Sequence, residues 1–253
     1  MKLNKEQIDF LNKCTSGSWT INKKTGLVNI KGNFYCSREK LKDFKGVKFG
    51  VVTGNFYCSD NKLTSLEGAP QVVRACFWCY DNKLTSLEGA PKEVGGSFWC
   101  DGNKLTSLEG APQVVKGDFN CRYNKLTSLK GAPKEVGGIF WCSGNSLTSL
   151  VGSPKVVKGS FGCHNNSLTS LEGAPQEVEG NFGCEGNPIS EETLSLVFKT
   201  MQEKKLDYWI ALSLLKSEIS TRDFKKLEGE LDKRIPKDAQ KGISMLDRFK
   251  VFE

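Results

Sequence analysis

The sequence predicts an α/β repeat, a solenoid of coils stacked on a parallel β-sheet, with a short N-terminal helical cap and a C-terminal helical tail. Three observations carry this. Seven cysteines, Cys58, Cys79, Cys100, Cys121, Cys142, Cys163 and Cys184, recur at a strict 21-residue step. Seven phenylalanines from Phe56 to Phe182 and seven asparagines from Asn61 to Asn187 keep the same step. The segments on either side lose that period and show helical or alternating patterns instead. A fixed period of this length marks units that cannot enclose a core alone and bury one by stacking.

Residues 1–32 read as the cap. Asn4 stands where an N-cap would, with Gln7 at the capping-box position, predicting a short helix from Asn4 to Cys14 with Ile8, Phe10 and Leu11 on its apolar face. Trp19 to Ile30 alternates enough to predict a strand or hairpin.

Residues 33–187 form the array, about eight coils. One unit reads F-x-C-x-x-N-x-L-T-S-L-x-G-A-P-x-x-V-x-G-x. Phe and Cys, two apart on a short strand, point to the same side, into the interior. The Asn amide can bond backbone groups left unpaired where the strand turns. Leu63 and Leu66, three apart, predict a tight helical or 3₁₀-like turn burying both. Gly-Ala-Pro then reverses the chain. A degenerate first unit carries Phe34 and Cys36, 22 residues before Phe56 and Cys58, with Glu39 in place of the Asn. Terminal units are expected to be atypical because they cap the stack.

Residues 188–253 read as a helical tail. Ser190, Glu191 and Glu192 open a first helix, with Leu194, Val197, Phe198 and Met201 on one face. Trp209, Ile210, Leu212 and Leu215 mark a second, Phe224, Leu227 and Leu231 a third, and a last apolar segment follows Pro236.

Phe, Cys, Asn and the following Leu fit the frame L-x-x-L-x-L-x-x-N-x-L, so the solenoid is of the leucine-rich-repeat kind. The N-x-L-T-S-L…P…V phrasing resembles the short repeats of secreted leucine-rich-repeat effectors of enteric bacteria. With Gly-x-Phe-x-Cys and Leu-Thr-Ser-Leu-Glu-Gly-Ala-Pro it is more similar still to leucine-rich-repeat proteins of tailed bacteriophages. The resemblance implies the fold, and a phage origin would imply a factor that inhibits or modulates a host protein, in the host cytoplasm. Those bacterial effectors often carry a C-terminal ubiquitin ligase with a catalytic cysteine; here no cysteine follows Cys184 and the tail is too short for such a domain.

The net charge of +7 is uneven. Residues 1–50 hold 11 Lys/Arg against 4 Asp/Glu, whereas residues 51–187 hold 12 against 13. A nucleic-acid binder would show its basic stripe along the main body, which here is neutral. No apolar run approaches the roughly 18 residues of a membrane span. No apolar stretch follows the charged N-terminus, which predicts no secretory signal and a cytoplasmic protein.

Ten cysteines raise the question of metal. Zinc sites want Cys pairs two to four residues apart. Only Cys76 and Cys79 have that spacing, and on an alternating strand they face opposite ways. The repeated cysteines are expected to be small buried hydrophobes in a reduced compartment. His164 is the single histidine and has no nucleophile or acid arranged around it in the sequence. No phosphate-binding glycine loop is present. The sequence therefore predicts no metal, no cofactor and no catalytic residue.

The positions that the repeat leaves free are the informative ones. The residue between Phe and Cys points away from the core, onto the outer, normally concave, sheet face. In order these are Tyr35, Tyr57, Trp78, Trp99, Asn120, Trp141, Gly162 and Gly183. Flanking positions add Tyr80, Asp101, Asp118, Arg122 and Glu185. Strands about 4.8 Å apart would spread this ladder over roughly 35 Å. Aromatic surfaces of that kind mark interfaces, and Tyr and Trp dominate binding hot spots. The expected partner-binding residues are Tyr35, Tyr57, Trp78, Tyr80, Trp99, Asp101, Asn120, Arg122 and Trp141. The expected ligand is a protein, with a glycan or nucleic acid as the alternative, and a second copy of the chain could also cover the face. Aromatics can also stand there simply to stack across strands.

Overall fold

The structure, a computed structural model, describes residues 3–189. The predicted tail helices after Pro188, with their apolar stripes, lie outside the described residues. Helix α1 (Lys5–Cys14) has Asn4 as its N-cap, and the capping box is complete: Asn4 Oδ1 accepts from Gln7 N, and Gln7 Oε1 accepts from Asn4 N. The buried face is Gln7, Phe10, Leu11 and Cys14; Ile8, expected there, is 36% exposed. Gln7 takes the inner position because its side-chain amide Nε2 donates to Lys45 O across the first coil, at 3.0 Å.

Strand β1 (Thr15–Ile21) pairs antiparallel with β2 (Val28–Tyr35), which forms the predicted hairpin. Strand β2 then feeds two parallel ladders. Its first half pairs with β3 (Phe49–Val52), and its second half, Phe34 and Tyr35, pairs with β4 (Phe56–Tyr57). From there each 21-residue unit contributes two residues to each ladder. One ladder runs from Phe56 through Phe77, Phe98, Phe119, Phe140 and Phe161 to Phe182; the other runs from Val52 through Val73 to Val178. Because β1 covers the outer edge of β2, the first rung does not offer an open strand edge.

The expected α/β repeat is corrected in two respects. Helix α1 is the only helix among the described residues, so the repeat itself is a parallel β-solenoid. The Leu-Thr-Ser-Leu segment makes no 3₁₀ turn. Instead Leu66 O accepts from Ala69 N at 2.9 Å across Glu67 and Gly68, with Gly68 at φ +84°. That is a type II β-turn, whose third position demands a positive φ and hence Gly. The same bond recurs at Ala90, Ala111, Ala132, Ser153 and Ala174. The Val two or three residues beyond each Pro is a strand residue, so the unit bends between two short strands and leaves no room for a helical side.

The interior is a spine of rings. Successive Phe rings from Phe34 to Phe182 stack at 5.2–5.5 Å between centroids. Phe10 closes the first ring edge-on at 5.4 Å. The ladder cysteines Cys36, Cys58 and their repeats to Cys184 are fully buried, as are Leu63, Leu66 and their repeats as far as Leu168. Each fully buried Phe or Leu contributes roughly 1.5–3 kcal/mol. Burial pushes the ladder thiols, Cys58 and Cys100 among them, well above the ordinary cysteine pKa, as expected of packing groups.

Asparagines tie the coils together. Asn103 Oδ1 accepts from Leu84 N at 3.0 Å, while its amide donates to Cys79 O, Cys100 O and Asp101 O at 3.0–3.2 Å. It therefore pairs backbone groups of its own coil and of the one before. The same pattern repeats from Asn61 to Asn187. A second polar ladder occupies the position before each Phe. Asn33, Asn55, Cys76, Ser97 and Asp118 each accept from the backbone N–H one coil further on. Ile139 interrupts it, and Ser160 resumes it by accepting from Asn181 N.

Candidate functional site

The outward side chains of the Phe ladder gather on one face. Tyr35 stacks on Tyr57 at 5.2 Å, Tyr57 meets Trp78 at 4.4 Å, and Trp78 stacks on Trp99 at 4.9 Å with 14° between planes. Tyr80 lies 6.3 Å from both tryptophan rings. The cause is register: Tyr57, Trp78 and Trp99 pair directly across parallel strands, so each ring sits over the next. Stacking hides ring faces, so Trp78, Trp99 and Trp141 are half-buried, and Tyr35 at the open end is 48% exposed.

The row continues differently beyond Trp99. Asn120 is 2% exposed and does not reach the surface. Its Oδ1 accepts from both the backbone N and Nε of Arg122, each at 3.2 Å. The guanidinium so held lies 5.0 Å from the Trp141 ring centroid and 5.9 Å from that of Tyr123. Arg122 thus covers the gap that Asn120 leaves. Trp141 in turn extends over Gly162, where a Cβ would come within 3.0 Å of the indole. His164 packs over Gly183 in the same way and pairs with Glu185. Asp118 belongs to the second polar ladder, bonding Ile139 N at 2.8 Å.

Several polar atoms on this face are buried without a hydrogen-bond partner: Nε1 of Trp78 and of Trp99, Oδ1 of Asp101 and Oγ of Ser143. Burial raises the Asp101 carboxyl pKa, opposed by a backbone hydrogen bond and by the Arg122 charge. Burial likewise raises Tyr57. An unpaired buried polar group costs roughly 1–3 kcal/mol.

Sequence reasoning missed Tyr123. It is 66% exposed and has φ +52°. The second residue after each ladder Cys makes a left-handed corner, filled by Arg38 in the degenerate first coil and by Asp60, Asp81, Gly102, Gly144, Asn165 and Gly186 in the others. Asp, Asn and Gly tolerate that conformation and a tyrosine does so poorly. Its ring lies over Gly144, where a Cβ would stand 2.7 Å away. The signal is readable: across the seven regular coils it is the one bulky residue in a column otherwise held by Asp, Asn and Gly.

Cys76 and Cys79 separate as their strand alternation requires: Cys79 is buried inside, while Cys76 is half-buried and accepts from Ser97 N. No group of His, Cys, Asp and Glu among the described residues could hold a metal ion. No helix among them is long and apolar enough to cross a membrane.

No protein family and no curated protein matches the chain. Among solved structures it is similar to the leucine-rich-repeat domain of a Shigella effector, at 18% identity and a TM-score of 0.48, over 68% of this chain and 76% of that one.

Proposed function

We propose that this chain is a non-catalytic, leucine-rich-repeat binding protein that holds a protein partner on the outward face of the Phe ladder. The contact residues are Tyr35, Tyr57, Trp78, Tyr80, Trp99, Asp101, Arg122, Tyr123 and Trp141, with Asn120 positioning Arg122. The single observation behind this is the set of unpaired polar atoms within the aromatic stack. Sheet stacking alone would be served by Phe, which has no N–H to strand. Trp78 and Trp99 instead carry donors that the isolated chain leaves unsatisfied. Small side-chain shifts on binding would release these donors to a partner's carbonyl oxygens.

The geometry favours a protein over a glycan or nucleic acid. Sugars and bases dock on free ring faces. Here Trp78 and Trp99 stack face to face, Tyr57 stacks on Tyr35 and tilts against Trp78, and Trp141 has Arg122 on one side. What remains for a ligand is ring edges, a tyrosine, an arginine and polar groups, the composition of a protein hot spot. A phage factor acting on a host protein is the biological setting in keeping with the repeat phrasing.

The test is capture from a host lysate by the full chain and by two variants, Trp78→Ala/Trp99→Ala and Arg122→Glu, each first matched to wild type by circular dichroism. Both variants are expected to lose one stoichiometric protein that the wild type retains. Unchanged capture, or binding to glycans or oligonucleotides that the same variants abolish, would overturn the proposal.

A further inference from the structure

A second column of side chains stands five residues beyond the outward positions of the Phe ladder. Lys62, Lys83, Lys104 and Lys125 follow the ladder asparagines in four consecutive coils, and all are exposed. Their backbone is fixed in register: Lys83 N donates to Leu63 O, Lys104 N to Leu84 O and Lys125 N to Leu105 O, each at 2.9 Å. With coils about 4.8 Å apart, four like charges occupy a line about 14 Å long. None of the four forms an ion pair among the described residues. Asp60 pairs with Arg38 and Glu109 with Lys130. Asp81 lies against Gly102, where a Cβ would stand 2.2 Å from its Oδ1. The fold thus stacks unneutralised cations where a mixed column would stand more easily.

We infer that this lysine line is a rail for an acidic helix of the protein partner, lying along the stacking axis. This rests on the proposed protein-binding role of the neighbouring face. Charge and spacing both point to that occupant. Four acids at positions i, i+4, i+7 and i+11 of a helix share one face and span about 16.5 Å. Flexible lysine stems absorb the difference of about 2 Å. A single line of negative charge matches a column one lysine wide, whereas a broad polyanion such as a nucleic acid wants a basic surface that residues 51–187, with 12 Lys/Arg against 13 Asp/Glu, do not offer.

The test uses the full chain and three probes: a 20-residue alanine-rich helical peptide with Glu at i, i+4, i+7 and i+11, its Gln counterpart, and an oligo-dT of 20 nucleotides. Binding is followed by fluorescence anisotropy at low and at physiological salt. The Glu peptide is expected to bind at least tenfold more tightly than the Gln peptide, with affinity falling as salt rises. Replacing all four lysines by Gln should remove that preference. These are exposed residues, so the variant should keep the wild-type melting temperature. Equal binding of the two peptides, tighter binding of the oligonucleotide, or a preference that survives the lysine replacement would overturn the inference. Trp78→Ala/Trp99→Ala separates the two readings. If it abolishes partner capture but leaves the Glu preference, both stand; if it leaves capture intact while the lysine variant removes it, the rail stands and the aromatic face fails.

Discussion

Replacing Asn103 by Ala tests what holds one coil to the next. The substitution removes one accepted bond, from Leu84 N, and an amide that serves three carbonyls with its two protons. That is three good bonds' worth of pairing in a site that is almost fully buried. At about 1 kcal/mol net for each bond, the loss is about 3 kcal/mol. It is larger if the Leu84 N–H stays buried and unpaired. A marginally stable domain has only about 5–15 kcal/mol in total. Urea unfolding of the full chain, followed by far-ultraviolet circular dichroism, reads the loss directly. Hydrogen exchange should show the Leu84 amide exchanging much faster than its counterpart Leu63, whose acceptor Asn82 is untouched. Asn103→Asp keeps the acceptor but sets a carboxylate among three carbonyls, so it should be at least as damaging at neutral pH. A loss under about 1 kcal/mol with Leu84 still protected would refute the idea that the asparagine ladder fastens the coils.

Three further outcomes follow from the same structure. Iodoacetamide at mild alkaline pH should modify half-buried Cys76 before any of the fully buried ladder cysteines, by mass spectrometry of the folded chain; early modification of Cys100 would contradict the packing. Burial pushes Cys14 from 9.0 up to about 11 and the ladder thiols higher, so the folded state retains protons that the unfolded state releases. Stability is therefore expected to hold below about pH 9 and to fall as pH rises beyond it, seen as a dropping urea midpoint. Tyr123→Gly relieves a left-handed tyrosine and should raise stability by about 1 kcal/mol while weakening partner capture; a destabilised variant would show that the ring's contact over Gly144 matters more than the backbone strain.

Much of the fold is legible in the sequence. The 21-residue step assigned Phe, Cys and Leu to the interior, and the structure buries them. The Asn position was readable from its chemistry, since every coil turns at the same place and needs the same backbone partners. The capping box at Asn4 and Gln7 was local and therefore plain. What failed was anything decided by contact between coils. Leu-Thr-Ser-Leu has helical spacing, but Gly68 and its repeats impose a type II turn, and the Val beyond Pro forms a second parallel ladder. Ile8 has the right period for the helix face, yet the polar Gln7 takes the buried place because Lys45 O lies there to receive it. On the candidate face the outward positions were read correctly from strand alternation. Their accessibility was not, because stacking half-buries the tryptophans and Arg122 covers Asn120. Tyr123 and the lysine line lie in columns that a search for aromatic alternation passes over.

The outward face of the Phe ladder is proposed to hold a protein partner. Photo-cross-linking tests it most directly, with a benzophenone amino acid placed at Tyr80 on that face or, as control, at Val114 on the other ladder, in an otherwise intact chain. One discrete protein adduct is expected from Tyr80 in lysate of the proposed host, lost on adding Trp99→Ala, and none from Val114. Adducts of equal yield from both positions, or an adduct at Tyr80 that survives Trp99→Ala, would contradict it.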